Sequence, residues 1–246
     1  MSVIQVGDNF TNNQGCKAIV IEYINSRKVL IEFLDNHQHR MFVEAADLRK
    51  GNFKNPYMPN VYGVGYIGYG KHKAKLNGKH FPVYRAWHSM LQRCYDEKLH
   101  KNRPTYQDCI VCPEWHNFQV FAEWYLSQAN CNDGYHLDKD LLIDGNKVYS
   151  PETCVLAPIE INTLLGNLNS SRGDLPVGVG FDKRDCTYSA QLNIDNVQVR
   201  IGTFSNPQDA SQAYQVAKKA NIKRMALEWQ DRIDKRLFDA LMAKAA

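Results

Sequence analysis

The stretch from Leu137 to Leu165, LDKDLLIDGNKVYSPETCVLAPIEINTLL, constrains the fold more than any other part of the chain. It opens on an apolar run, Leu137 to Ile143, interrupted by Asp138, Lys139 and Asp140. Turn formers follow: Asp144, Gly145 and Asn146, then Ser150-Pro151. Thr153 to Ala157 reads as a second strand. Pro158 then sits beside the first turn of a predicted helix, Ile159 to Leu165, where its missing N–H leaves no bond unmade. Strand, turn, strand and helix in so short a segment leave few alternatives to a compact ββα unit.

Two amphipathic helices are predicted upstream of this unit. Val83 to Tyr95 has apolar residues at 83, 84, 87, 90, 91 and 94, the helical period, and Phe118 to Leu126 carries Phe118, Phe121, Ala122, Trp124 and Tyr125. Lys98 to Asp108 reads as a polar loop between them. The first fifty residues are different in kind. Lys17 to Tyr23, Lys28 to Leu34 and His39 to Val43 are rich in β-branched and aromatic residues, with Asn25-Ser26 and Asp35-Asn36 as turns. Three or four short antiparallel strands suggest a small β-barrel of the Src-homology or Tudor kind. Such a barrel would serve as a scaffold or protein-contact module, or touch nucleic acid through Arg27, Lys28, Arg40, Arg49 and Lys50.

Residues 51–82 form a basic, Gly/Tyr-rich linker. Gly63, Gly65 and Gly68 match a G-x-G-x-x-G spacing, but no apolar strand precedes them and no helix directly follows, so a dinucleotide site is not expected. Lys71, His72, Lys73, Lys75, Lys79 and His80, interleaved with Tyr62, Tyr66 and Tyr69, make the most basic local patch. It reads equally as a solvated loop and as a phosphate-binding surface.

The string RCY…CIVCPEWHNFQVFAEW followed by the Leu137–Leu165 unit resembles a phage-encoded HNH-like protein family. In HNH nucleases a ββα unit clamps one divalent metal against a phosphodiester. Laid on that motif, Asp138 takes the place of the first metal ligand and Asn162 that of the helix ligand. Thr153 stands where the middle Asn belongs, and Lys139 occupies the position of the general-base histidine. The resemblance implies a Mg²⁺- or Mn²⁺-dependent DNA endonuclease with Lys139 and Thr153 in catalytic positions. A general base must be neutral, and a lysine of ordinary pKa is protonated at pH 7. The rival reading is therefore a non-catalytic DNA-binding or regulatory protein that keeps the scaffold and uses Lys139 to hold a phosphate.

Beyond a Ser/Gly-containing linker at residues 167–174 comes a second resemblance, to the ethylene-response-factor (Apetala-type) DNA-binding domain. Its motifs are Gly178-Val179, Tyr188-Ser189-Ala190-Gln191-Leu192, Ile201-Gly202-Thr203-Phe204 and the helix start Pro207 to Tyr214. Periodicity agrees with three strands and a helix. Tyr188, Ala190, Leu192 and Ile194 alternate with Ser189, Gln191 and Asn193, and Val197, Val199 and Ile201 alternate with Gln198 and Arg200. Ala210, Ala213, Tyr214, Ala217 and Ala220 share one helix face. Lys183, Arg184, Gln191, Asn193, Gln198 and Arg200 are then left as the DNA-binding set. Arg pairs with guanine and Gln or Asn with adenine in the major groove, which admits β-strands. A charged terminal helix, Lys218 to Met242, reads as a solvated face.

These readings give an α+β, multi-module chain. A small β-barrel (1–50), the linker (51–82), an HNH-like ββα domain with flanking helices (83–166), a three-stranded antiparallel sheet packed on a helix (172–230) and a helical tail (231–246) follow in order. The expected partner is double-stranded DNA, with a host protein as a further partner of the barrel. No run of about eighteen apolar residues occurs, so no membrane partner is expected. The N-terminus lacks the basic and apolar regions of a secretory signal, which points to the cytoplasm, the host's if the chain is phage-encoded. The lone C-x-x-C, Cys109 and Cys112, has no second ligand pair, which argues against structural zinc and for reduced, packed thiols.

Overall fold

In a computed structural model the described residues are 3–128, 131, 134–166 and 175–246. The predicted linker at 167–174, and the first residues of the module predicted to begin at 172, lie outside them. The chain is mixed α and β and divides into two compact units, Met1–Glu97 with Pro113–Ala122, and Lys98–Cys112 with Glu123–Ala246.

The first unit begins with an antiparallel meander, β1 (Asn9–Thr11), β2 (Lys17–Asn25), β3 (Lys28–Phe33) and β4 (Arg40–Val43), followed by α1 (Ala45–Lys50). The strand order is β1-β2-β3-β4, and among the described residues no pairing joins the two edges to close the expected barrel. Alternation in β3 places Val29, Ile31 and Phe33 in a core with Ala18, Val20, Leu48 and Phe53. Asn12 is buried beside it and donates from Nδ2 to the Phe53 carbonyl at 2.9 Å, which ties residues past α1 to the sheet.

Within the stretch read as a linker, 51–82, the first part is packed, with Gly51, Phe53, Asn55, Gly65 and Gly68 buried, and residues 69–82 are mostly exposed. Gly65 packs so closely against α2 (Pro82–Tyr95) that a Cβ there would overlap the Leu91 side chain and stand 3.0 Å from the Trp87 ring. Two of the three glycines in the G-x-G-x-x-G spacing, Gly63 and Gly68, have positive φ, which glycine alone adopts freely. Turns and close packing thus account for the spacing. A short hairpin, β5 (Lys75–Leu76) and β6 (Lys79–His80), leads into α2. The buried Trp87 donates from Nε1 to the Trp115 carbonyl at 2.7 Å and packs on Phe118. The predicted helix at 83–95 is present. The polar loop predicted at 98–108 instead contains α3 (Glu97–Asn102) and a 3-10 turn (Pro104–Tyr106), before α4 (Phe118–Ser127).

The second unit holds the ββα element. β7 (Ile110–Val111) pairs in parallel with β9 (Val148–Tyr149), and β8 (Tyr135–Asp138) pairs antiparallel with β10 (Val155–Pro158), which runs directly into α5 (Ile159–Leu165). The strand predicted from Leu137 to Ile143 ends at Asp138. There Asp138 Oδ1 accepts hydrogen bonds from the backbone N–H groups of Asp140 (2.7 Å) and Leu141 (3.0 Å), turning the chain away. Thr153 precedes β10 rather than opening it.

Next come β11 (Val179–Asp182), β12 (Thr187–Ile194) and β13 (Val197–Phe204), in that order in one antiparallel sheet, and α6 (Pro207–Trp229). Asn206 caps α6, accepting from Asp209 N–H at 2.8 Å, with Pro207 at the first turn. Ala210 and Tyr214 pack on Ala190 and Leu192. The single terminal helix predicted from Lys218 to Met242 is in fact two. α6 ends at Trp229, and Asp234 caps α7 (Lys235–Ala245) by accepting from Arg236 N–H. Neither is a solvated tail. Ile222, Met225 and Ala226 of α6 and Leu237 and Leu241 of α7 share one core with Leu141, Val155, Ala157 and Ile161. No helix among the described residues is long and apolar enough to cross a membrane.

Candidate functional site

The candidate residues fall into two sets: the ββα positions and the outer face of the C-terminal sheet. In the first set, strand alternation separates the neighbours. Leu137 and Lys139 are buried on one side, while Asp138 is half-buried on the other. Lys139 is only 4 % exposed. Its Nζ donates to both carboxylate oxygens of Asp140 (2.7 and 2.8 Å) and to the Asn146 carbonyl at 2.5 Å, and lies over the Tyr149 ring. Asn146 completes the arrangement by donating from Nδ2 to the carbonyls of Lys139 and Val148. An ammonium held in this way has no free donor to offer a phosphate and no lone pair to take a proton from water. Lys139 is thus a structural lysine, and neither the catalytic nor the phosphate-holding role expected of it fits its surroundings.

Thr153 is also occupied. Its Oγ1 donates to the Val148 carbonyl at 2.6 Å and meets Ser150 Oγ at 3.2 Å, closing the turn before β10. Asp138 has one oxygen engaged by two backbone donors, and Asn162 lies half-buried in the first turns of α5. Hard cations such as Mg²⁺ or Mn²⁺ take about six oxygen ligands, and Mg²⁺ is held by only one or two carboxylates, with water and substrate phosphate completing the shell. Asp138 and Asn162 offer two side chains, one already committed. Among the described residues no three His, Cys, Asp or Glu side chains are grouped to hold a metal ion. Asp138, one of whose oxygens caps the turn, and Asn162 would be the residues to hold the metal that the HNH resemblance implies. Of the cysteines, Cys94, Cys109 and Cys154 are buried; burial pushes the Cys109 and Cys154 thiols up, Cys154 to about 12, the setting of packed apolar thiols.

The sheet brings four of its six candidates together. Cross-strand register sets Gln191 opposite Arg200 and Asn193 opposite Gln198, in alternation with Leu192 and Ile194 of the core, and Gln191, Asn193 and Gln198 border a groove shared with Tyr214, Gln215 and Lys218 of α6. Gln198 Nε2 donates to Gln191 Oε1 at 2.6 Å, Gln191 Nε2 donates to Ser189 Oγ at 3.2 Å, and Arg200 donates to Thr203 Oγ1 at 2.9 Å. The first of these crosses from β13 to β12, and the other two run along their own strands. Lys183 and Arg184 lie elsewhere, in the turn joining β11 to β12, at the opposite end of β12 from Asn193. Arg184 is paired there with Asp185.

The dry face departs from the predicted alternation. Val197 and Val199 are 63 % and 37 % exposed, while Ile201 and Phe204 join the core. A register shift at Ala190/Gln191 brings Phe204, out of phase with Val199, to the core side. The residue set that sequence reasoning missed is Asp140 with Asn146 around Lys139. Its signal is visible in D-K-D followed by D-G-N, a lysine between carboxylates beside a turn-forming Asn146. Comparisons of the chain with models of protein families, with curated proteins and with solved structures found no match.

Proposed function

We propose that this chain binds double-stranded DNA without cleaving it, reading sequence with the outer face of the β11–β13 sheet and using the ββα element as a structural base. The observation that carries the reading is the cross-strand set Gln191, Asn193, Gln198 and Arg200, exposed or half-exposed on a sheet whose other face is packed on α6. Amides and a guanidinium are the side chains that make two-point contacts with adenine and guanine edges. The Gln198–Gln191 hydrogen bond pre-sets the geometry of that pair, so less side-chain freedom is lost on binding. The ββα element fits a nuclease in topology, but its lysine is internally paired and its carboxylate caps a turn.

The test is selection of preferred duplexes from a random pool, followed by affinity measurements on variants. Arg200→Ala and Gln191→Ala are each expected to cost roughly 1–3 kcal/mol on the selected site and to relax preference at one position. Equal affinity of both variants and the parent for that site removes the sheet from the reading. The same protein incubated with plasmid DNA and Mg²⁺ or Mn²⁺ is expected to leave it intact. Nicking that disappears in Asp138→Ala restores the nuclease reading.

A further inference from the structure

The charge on this chain is unevenly spread. No acidic residue occurs between Asp47 and Asp96, a segment that holds nine Lys and Arg. The remainder carries 21 Lys and Arg against 26 Asp and Glu, so the mild net charge of +4 conceals a strongly basic segment in an acidic chain. The proposed reading sheet has no such excess. From Val179 to Phe204 its Lys183, Arg184 and Arg200 are matched by Asp182, Asp185 and Asp195. Phosphate neutralisation supplies most sequence-independent affinity for DNA, and that sheet is poorly equipped for it.

The basic segment is concentrated on a projecting element. Every residue from Lys75 to His80 is exposed, in a hairpin turned by Asn77 and Gly78, both with positive φ as a two-residue turn demands. Lys73, Lys75 and Lys79 have no carboxylate partner among the described residues.

The hairpin is also fixed in place. At its base Phe81 N–H donates to the Ala74 carbonyl at 3.1 Å. His80 stacks on Tyr84 of α2 with ring centroids 4.5 Å apart and nearly parallel, and Tyr84 in turn meets Trp87 and Phe118. On the N-terminal side Gln119 holds the approach from three directions. It donates to the carbonyls of Ile67 (3.2 Å) and His72 (2.9 Å) and accepts from His72 N–H (2.9 Å). Lysines on a merely solvated loop need no such anchoring. At the tip, Leu76 stands 54 % exposed between Lys75 and Lys79, where an apolar side chain gains nothing from water.

We infer that the Lys73–Lys79 hairpin is a duplex-DNA phosphate clamp, separate from the sheet and independent of whether the sheet reads sequence. Lys73, Lys75 and Lys79 supply charge, and Leu76 meets the sugar edge of the groove between them. The clamp gives affinity without sequence preference.

The test compares the full chain with a Lys73→Ala/Lys75→Ala/Lys79→Ala variant, measuring affinity for two unrelated duplexes between about 50 and 200 mM salt. Each phosphate that is no longer neutralised takes about 0.9 off the slope of log affinity against log salt, so the triple variant is expected to flatten it by about 2–3. The loss of affinity should be the same for both duplexes, whereas Arg200→Ala is expected to change the slope by no more than about 1 and unequally between duplexes. All three lysines are exposed, so thermal unfolding should match the parent; if it does not, Lys75→Gln/Lys79→Gln carries the same comparison. An unchanged slope, a parent that does not bind duplex, or a loss confined to single-stranded competitor overturns the proposal. Because the two variants act on different elements, an unchanged slope in the lysine variant leaves the sheet reading standing, and an unchanged affinity in Arg200→Ala leaves the clamp; only a parent that does not bind duplex removes both.

Discussion

Replacing Lys139 discriminates best between a structural and a functional lysine. Lys139→Ala removes a side chain that is almost fully buried and three hydrogen bonds from its ammonium. The Asp140 side chain is 48 % exposed, so water re-solvates it and the ion pair itself contributes no more than about 1 kcal/mol. The Asn146 carbonyl, left without its closest donor, costs about 1–3 kcal/mol. Three buried methylenes at about 0.8 kcal/mol each add roughly 2 kcal/mol. The expected destabilisation is about 3–5 kcal/mol. Lys139→Met keeps most of the apolar stem and should cost roughly 2 kcal/mol less. Urea unfolding followed by far-UV circular dichroism and tryptophan fluorescence measures both, and duplex affinity measured well below the transition should stay at the parent value. A Lys139→Ala protein as stable as the parent, within about 0.5 kcal/mol, but tenfold weaker on DNA would place the ammonium on a phosphate and refute the structural role.

Three further outcomes are expected. Gly178 has φ of +79° and an added Cβ would run into the Tyr214 ring, so Gly178→Ala should destabilise the second unit by about 2–4 kcal/mol in urea unfolding. Burial pushes the Asp234 carboxyl up, but hydrogen bonds and charge from Arg236 outweigh this and hold it below the ordinary carboxylate value. Its contribution is therefore present above the unfolded pKa of about 3.9 and lost as pH falls through the lower folded value. Asp234→Ala should cost about 1–2 kcal/mol at neutral pH, a difference that closes in unfolding curves taken in that acid window. Finally, Cys94, Cys109 and Cys154, all buried, should resist a thiol reagent until the protein is unfolded, while exposed Cys186 reacts at once. Elemental analysis is expected to find no stoichiometric zinc, and one tightly held zinc per chain would reopen the C-x-x-C reading.

Local pattern made several elements legible. Helical spacing in 83–95, the Pro158 boundary of α5 and the alternation of β12 each depend on neighbours in sequence, and the structure has them where the pattern puts them. Features that depend on a side chain's choice of partner, near or distant, were not legible. The end of β8 is set by one Asp138 oxygen choosing two backbone donors over the strand ladder, an option that an apolar run does not reveal. Val197 and Val199 alternate like core residues but stay outside the core that Ile201 and Phe204 join. The burial of α7 was hidden by its many charges, since Leu237 and Leu241 occupy a single stripe among them. At the candidate site, residue types suggest chemistry at Asp138, Lys139 and Thr153, while their hydrogen bonds assign all three to turns and packing.

The double allegiance of α6 bears on how the chain is made. Its first turns cover the sheet, and its later turns, with α7, fill the core begun by Val155, Ala157 and Ile161. Arg236 also reaches back across 85 positions to donate to the Pro151 carbonyl. On a translating ribosome the ββα strands therefore emerge with their apolar side uncovered and wait for the sheet and both helices to follow. Bringing together such distant segments is slow compared with local helix formation, and the waiting strands are candidates for chaperone capture. A chain arrested before residue 222 would hold a sheet able to pair and a ββα element unable to bury itself.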